Sequence, residues 1–349
     1  MNTQEISKTF TRPQNLFDSL SVLNRLGNSG EEYLILAGGT DLLVKHRYSF
    51  PAKRIPFDSV PLVDITAIRQ LKEIKVTDAS LNIGALVTHA DIADSKEIRR
   101  FAPILAAAAG EVGSPQIRNR GTIGGNICNA SPAADLLSVL TAMDAELEIA
   151  CLKGQNISKR SIPMTQFISG PFASKLHPGE LLVSIAIPLK KPQVGFYQIK
   201  ESGPRISTDN LKPALRPIEF WGSGYTKLGK RNAMSISILN ISLLLGFKAL
   251  PGGKEYRVTD SCLCVGAVTP CPTRFTKTEN LLKEMRITDN GQIRNIEKLE
   301  AAAHLVVEEM KQLTGIRKST PYKSAVLLRL LPALVVGVTE AAIKNVSEN

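Results

Sequence analysis

Two short glycine-rich runs have the residue types and spacing to do chemistry: Ala37-Gly38-Gly39-Thr40-Asp41 and, about eighty residues later, Gly121-Thr122-Ile123-Gly124-Gly125-Asn126. Glycine carries no Cβ, so the backbone can come close to a ligand. The hydroxyls of Thr40 and Thr122 and the amide of Asn126 add donors suited to phosphate oxygens. Either run alone would serve equally well as a plain turn. Two of them, each with a threonine beside it, could clamp one diphosphate from both sides. The spacing matches neither GxGxxG after the first strand nor GxxxxGK(S/T), and Gly252-Gly253-Lys254 is no Walker A loop, so nicotinamide-type Rossmann and P-loop sites lack their sequence support.

The elements that must position these runs are readable around them. Leu16, Leu20, Leu23 and Leu26 predict a helix that stops at Gly27-Asn28. Tyr33 to Leu36 reads as a strand, the first glycine run as a turn, and Leu42 to Lys45 as a helix start, a geometry that leaves backbone N–H groups facing an anion. From Leu62 to about Ile187 strands and helices alternate, with strands at Leu62–Ile65, Ser80–Ile83 and Glu146–Cys151 and an alanine-rich helix at Phe101–Val112. Ser131 as N-cap and Pro132 at the first helical position predict a helix over Ala133–Met143, just after the second run. Lys190 to Trp221 is rich in Pro, Gly and charge and shows no periodicity, so it reads as an irregular excursion carrying Lys200, Arg205, Lys212 and Arg216. Strands at Met234–Leu244 and Arg257–Val268 follow, then helices at Thr273–Met285, Ile296–Leu313 and Pro321–Asn345, the last expected to kink or end near Leu331 because of Pro332. The chain thus divides into two subdomains, 1–62 and 63–190, an irregular linker, 191–222, and a C-terminal α+β unit, 223–349.

Composition narrows the function classes. At 43% hydrophobic and 21% charged residues the chain is ordinary globular protein rather than disordered. A formal net charge of +11 suits an acidic partner, nucleotide or anionic substrate, but the charges are scattered and aromatics are only 5%, so nucleic-acid binding lacks its stacking platform. Residues 1–19 have no apolar signal-peptide core, which points to the cytoplasm. Ser324–Ile343 is interrupted by Arg329, Pro332 and Glu340 and reads as a packed helix rather than a membrane span. Five cysteines with no CxxC pair argue against a disulfide framework or zinc ribbon. Cys262 and Cys264 share one parity of an alternating run and read as core residues. His46, His89, His177 and His304 form no HxxxH pair, so no metal site follows.

Longer segments carry a family resemblance. Leu36-Ala37-Gly38-Gly39-Thr40-Asp41-Leu42-Leu43, Gln116-Ile117-Arg118-Asn119, Gly121 to Asn126 and Ser131-Pro132-Ala133-Ala134-Asp135 resemble motifs of the FAD-binding domain shared by xanthine dehydrogenase and the medium subunit of carbon monoxide dehydrogenase. Gly84-Ala85-Leu86-Val87-Thr88, Pro178 to Leu182, Tyr225 to Leu228 and Ser319 to Tyr322 continue the resemblance in order. It implies an α+β fold with a two-subdomain FAD-binding part of the PCMH type and a smaller C-terminal α+β domain of antiparallel sheet and helices. By the same resemblance FAD is bound non-covalently by Ile35, Leu36, Ala37, Gly38, Gly39, Thr40, Asp41, Leu42, Thr122, Ile123, Gly124, Gly125 and Asn126, with both glycine runs on the diphosphate. Asp135 would bond a hydroxyl of the flavin sugar chain, its alternative being a first-turn helix residue favoured by the dipole. Val112 and Leu182 would line the cofactor or simply fill core. Tyr225 would cover one face of the isoalloxazine and Lys227 would lie near its polar edge, the alternative being a partly exposed strand Tyr and Lys.

The resemblance also implies partners. The chain lacks the cysteine runs of [2Fe-2S] clusters, and 349 residues leave no room for the molybdopterin-binding body of this enzyme class. A small [2Fe-2S] subunit and a large molybdopterin subunit would supply them, with FAD passing electrons to NAD or another acceptor. Asn126 runs directly into Ile127-Cys128-Asn129-Ala130, without the four-cysteine [4Fe–4S] insertion of some related flavin subunits. The competing readings are a self-contained FAD oxidoreductase of the same superfamily and a flavin-free scaffold that kept the fold.

Overall fold

A computed structural model describes residues 10–44, 60–189, 193–200, 203–207, 218–231 and 234–347. Lys45, His46, Lys212 and Arg216 lie outside the described residues. The N-terminal part begins with β1 (Phe10–Thr11), α1 (Leu16–Ser29), β2 (Leu34–Leu36) and β3 (Leu62–Asp64), and the three strands form a parallel sheet in the order β1-β3-β2. The Asn15 side chain caps α1 by accepting from the Asp18 amide at 2.9 Å. Leu20 and Leu23 on its inner face are fully buried against this sheet. The helix passes the expected stop at Gly27 and ends instead at Gly30, whose φ of 70° provides the left-handed C-cap.

The second part is a five-stranded antiparallel sheet flanked by short helices. Its strands are β4 (Ile74–Val76), β5 (Ser80–Gly84), β6 (Glu146–Lys153), β7 (Asn156–Pro163) and, beyond a small hairpin of β8 (Ile168–Gly170) and β9 (Ala173–Ser174), β10 (Leu181–Pro188), in the order β4-β5-β10-β6-β7. Between β5 and β6 run α2 (His89–Asp94), α3 (Lys96–Phe101), α4 (Pro103–Gly110), α5 (Pro115–Arg118), α6 (Ile123–Asn129) and α7 (Asp135–Ala142); α8 (Met164–Phe167) follows β7. The expected helix at Ala133–Met143 is shorter at its start. Ser131 and Pro132 form a turn in which the Ser131 carbonyl accepts from the Ala134 amide at 3.0 Å, so Asp135 is the first helical residue.

The stretch 191–222, expected to be irregular, carries two strands and the start of a third: β11 (Gln193–Lys200), β12 (Gly203–Ser207) and β13 (Glu219–Gly229). β11 and β12 make an edge hairpin, where polar and proline-containing sequence is tolerated, which is why periodicity did not reveal them. With β14 (Ser237–Ala249), β15 (Glu255–Gly266) and β16 (Arg286–Thr288) they form a sheet in the order β12-β11-β13-β14-β15-β16. It is antiparallel except for the parallel β11–β13 pair.

Three helices, α9 (Thr276–Leu282), α10 (Ile296–Thr314) and α11 (Thr320–Ser347), cover one face of that sheet. α11 runs unbroken through Pro332, against the expected kink or stop. Leu327, Leu331, Leu334, Val335 and Val338 bury its inner side, and Pro332 lies toward the half-exposed side, where water can satisfy the carbonyl it frees. The helix sits so low that a Cβ on Gly195 of β11 would lie 2.6 Å from the Ala342 backbone. By length and composition α11 could cross a membrane, yet 56% of its most apolar window is buried inside the protein.

The other face of the sheet closes on the N-terminal part. Trp221, Tyr225, Leu244, Cys262 and Cys264 join one core with Leu136, Leu137 and Leu140 of α7, whose eight residues are all buried. The two cysteines are therefore core residues, as their parity predicted. Each buried leucine of α7 stabilises this junction by about 1.5–3 kcal/mol.

Candidate functional site

The two glycine runs meet. A Cβ on Gly38 would fall 2.0 Å from the Arg120 carbonyl oxygen and 2.9 Å from the Gly121 Cα, so the runs touch backbone to backbone. β2 delivers the first run to this point, and the Leu36 carbonyl accepts from Ile65 of the neighbouring strand end at 3.0 Å. Gly39 turns the chain with φ 74°, and its carbonyl accepts from the Leu43 amide at 3.0 Å. Among the described residues no partner accepts from the amides of Gly38, Gly39, Thr40, Asp41 or Leu42. They form a ready donor set for an anion.

The second run is built differently from the loop expected. Gly124, Gly125 and Asn126 lie inside α6, capped by Thr122, whose Oγ1 accepts from the Gly125 amide at 3.1 Å. The Ile123 and Gly124 amides donate to the Val87 and Ala85 carbonyls at 3.0 and 2.9 Å, and the Asn126 amide donates to the Thr122 carbonyl at 2.9 Å. These backbone donors are already engaged. What the run offers a ligand is closeness, together with the Asn126 side chain, whose Oδ1 is buried without a partner.

Between the runs lies a cavity of about 410 Å³, within the ~300–1,000 Å³ usual for small-molecule sites. Thirteen of the eighteen nominated residues line it: Ile35, Ala37, Gly38, Gly39, Thr40, Asp41, Leu42, Val112, Thr122, Gly124, Gly125, Asn126 and Leu182. Leu36 belongs to β2 and Ile123 is fully buried in the core behind α6. Sequence reasoning missed Tyr33, His89, Cys128 and Leu181, which also line the cavity. Leu181 and Leu182 line it together at the start of β10. His89 had a signal in Thr88-x-x-Asp91, a capping box that fixes it as the first residue of α2. Burial pushes the Cys128 thiol up to about 12, so it stays protonated.

Asp135, Tyr225 and Lys227 are brought together elsewhere, in a buried cluster that adjoins the cavity through Glu111 and Val112. Lys227 Nζ donates to Asp135 Oδ2 at 2.6 Å and to the Glu111 carbonyl at 3.0 Å. Ser237 Oγ donates to Asp135 Oδ1, and Asn240 Nδ2 lies 3.5 Å from the same oxygen. Burial raises the Asp135 carboxyl above its ordinary range, with the Lys227 ammonium opposing. Burial likewise raises Glu111, opposed chiefly by Lys200, whose ammonium is 3.2 Å away. Tyr225 is wholly buried on β13 with its hydroxyl unpartnered, and burial drives its pKa well above the ordinary phenol value. Among the described residues no group of three or more His, Cys, Asp or Glu could hold a metal ion.

Known proteins identify the family. Residues 4–190, more than half of the chain, match the family model of the FAD binding domain in molybdopterin dehydrogenase. The chain belongs to that family. Residues 224–335 match the CO dehydrogenase flavoprotein C-terminal domain, so this FAD-binding subunit of the molybdenum hydroxylase family carries both characteristic parts. The alpha subunit of the 6-hydroxypseudooxynicotine dehydrogenase complex of Paenarthrobacter nicotinovorans is 39% identical over 168 residues, 48% of this chain and 53% of that one. The xanthine dehydrogenase FAD-binding subunit of Escherichia coli O157:H7 is 26% identical over 336 residues, 96% and 97% of the two chains. The crystal structure of quinoline 2-oxidoreductase from Pseudomonas putida 86 shares the fold, with a TM-score of 0.71 at 22% identity over 96% of this chain and 98% of that chain. The residues present fit FAD: amides on the first run that meet no acceptor among the described residues, an orphaned Asn126 Oδ1 that could accept from a cofactor hydroxyl, and apolar Val112, Leu181 and Leu182 in the same cavity wall.

Proposed function

We propose that this subunit relays electrons within a three-component complex, taking them from a small [2Fe-2S] subunit that serves a large molybdopterin subunit and passing them to NAD or another acceptor. The observation that carries this reading is the donor arrangement of the cavity. Five consecutive amides on the first run, with no acceptor among the described residues, share the cavity with Gly125 of α6, a match for a diphosphate. When bound, FAD supplies two-electron storage that can be filled one electron at a time.

The chain's own residues do the rest. The amides from Gly38 to Leu42 and the hydroxyl of Thr40 bind the diphosphate, while the Asn126 Nδ2 amide donates to it from the α6 side. Val112 and Leu182 give the ring an apolar seat that excludes water. Asp135, Lys227 and Tyr225 act from behind that seat. The Asp135–Lys227 pair holds β13 against α7 and supplies fixed charge near the ring end. Protonated Cys128 suits dissociable rather than covalently attached FAD.

The chain should be purified with its genomic neighbours and the flavin released with acid. FAD in the extract, and loss of absorbance at the flavin band when the reduced [2Fe-2S] subunit is added without air, are expected. Tight FAD binding with oxidation of a small substrate by the isolated chain would favour the self-contained oxidoreductase instead.

A further inference from the structure

His89 belongs to neither glycine run, yet it lines the same cavity at only 3% exposure. Its position is fixed from three directions. Its backbone amide donates to the Gly121 carbonyl at 3.0 Å. Thr88 before it forms an antiparallel bridge with Thr122 and a reciprocal cap with Asp91. The ring lies against Gly121, where a Cβ would come within 3.0 Å of His89 Cδ2 and 3.3 Å of Nε2. The imidazole is thus mounted on the frame that positions α6. Its Nδ1 is buried with no partner in the protein, a state that costs stability unless a ligand supplies one.

The second run needs such a group. Its amides at Ile123, Gly124, Gly125 and Asn126 are engaged with Val87, Ala85 and Thr122, so donors to an anion on this side must be side chains. We propose that His89 is a cofactor-binding residue whose imidazole donates a hydrogen bond to a phosphate oxygen of FAD, opposite the amides of the first run. This rests on the diphosphate lying between the two runs. Burial, with help from the Arg118 guanidinium, lowers the His89 pKa to about 4. The ring is therefore neutral at pH 7 and binds as a directional donor rather than as a cation. Arg118 is not a substitute: it does not line the cavity, and its Nη1 is bonded to the carbonyls of Val112 and Gly113 at 3.1 Å each.

The test measures FAD binding by flavin fluorescence in the full chain stripped of flavin, with ADP as competitor. His89→Leu keeps the side-chain bulk and removes the nitrogens, whereas His89→Gln keeps a donor. We expect His89→Leu to weaken FAD and ADP about tenfold each, the equivalent of one hydrogen bond, and His89→Gln to stay within about threefold of wild type. Equal FAD affinity in wild type and His89→Leu would overturn the assignment, and so would an equal loss in both variants, which would mark a packing role. If His89→Leu does not fold, the two 31P resonances of bound FAD decide: a shift between wild type and His89→Gln supports the contact, and coincident spectra refute it. Wild-type protein that binds FAD but is not competed by ADP would remove the diphosphate placement itself, an outcome distinct from ADP competition that ignores His89.

Discussion

Gly38 and Gly125 both line the cavity, but for different reasons, and alanine separates them. At Gly38 the added methyl meets a backbone carbonyl at 2.0 Å that cannot yield without moving the second run. Gly38→Ala is expected to lose about 1–3 kcal/mol of stability and most of its FAD binding, read by thermal melting and flavin fluorescence. At Gly125 the methyl meets only the Thr122 hydroxyl, at 3.0 Å, and alanine suits a helix better than glycine. Gly125→Ala should melt near wild type while FAD binding weakens about tenfold, because the methyl occupies ligand space; a normal FAD affinity in this variant would remove α6 from the cofactor contact. His89 gives a pH signature. Its depressed pKa means that between about 6.5 and 4 the unfolded chain takes up a proton that the folded chain refuses. Stability should therefore be full above pH 6.5 and fall as the pH drops toward 4, by about 3 kcal/mol from this group. The raised carboxyls of Asp135 and Glu111 act in the opposite direction, so the measurement is the difference between urea-melt profiles of wild type and His89→Gln, which should run parallel above pH 6.5 and separate below it as only wild type loses this contribution.

At the scale of elements, the link between α7 and β13 depends on one buried ion pair. Lys227→Met leaves the Asp135 carboxylate buried among neutral donors, and a loss of about 3–5 kcal/mol is expected. Adding Asp135→Asn should recover part of it, since the buried charge is gone; a double-mutant cycle in urea checks both, and strictly additive losses would show that the pair is not coupled. This link also marks where the sequence stopped being legible. The glycine runs and α1 announce themselves through local composition and spacing. The partners of Asp135 do not, because Lys227, Ser237 and Asn240 are 92, 102 and 105 residues away and arrive through β13–β14 pairing. β14 itself was read three residues early and too short, since Leu239 to Phe247 are buried on both faces and show no alternation. The hairpin of β11 and β12 was hidden by edge-strand composition. His89 could have been placed at a helix start from Thr88-x-x-Asp91, but nothing local said that α2 would start beside Gly121.

Across the whole molecule, the part assigned to FAD binding does not close its largest core alone, although the C-terminal unit has a second core of its own. Leu136 and Leu140 of α7 share one apolar cluster with Trp221, Tyr225, Leu244 and Cys264 of the six-stranded sheet. Calorimetry of the flavin-free chain should show a single transition, and residues 1–190 alone should be aggregation-prone because α7 would expose a face the sheet normally covers. Two resolved transitions, or a soluble monomeric fragment with native circular dichroism, would contradict this. The same burial constrains protein engineering. Exchanging C-terminal units between relatives at a junction near residue 190 would graft a foreign sheet onto a native α7, with mismatched leucines and an orphaned carboxylate at the seam. A working chimera would have to carry Asp135 to Ala142 along with the sheet that packs on it, so the exchangeable module here is discontinuous in sequence.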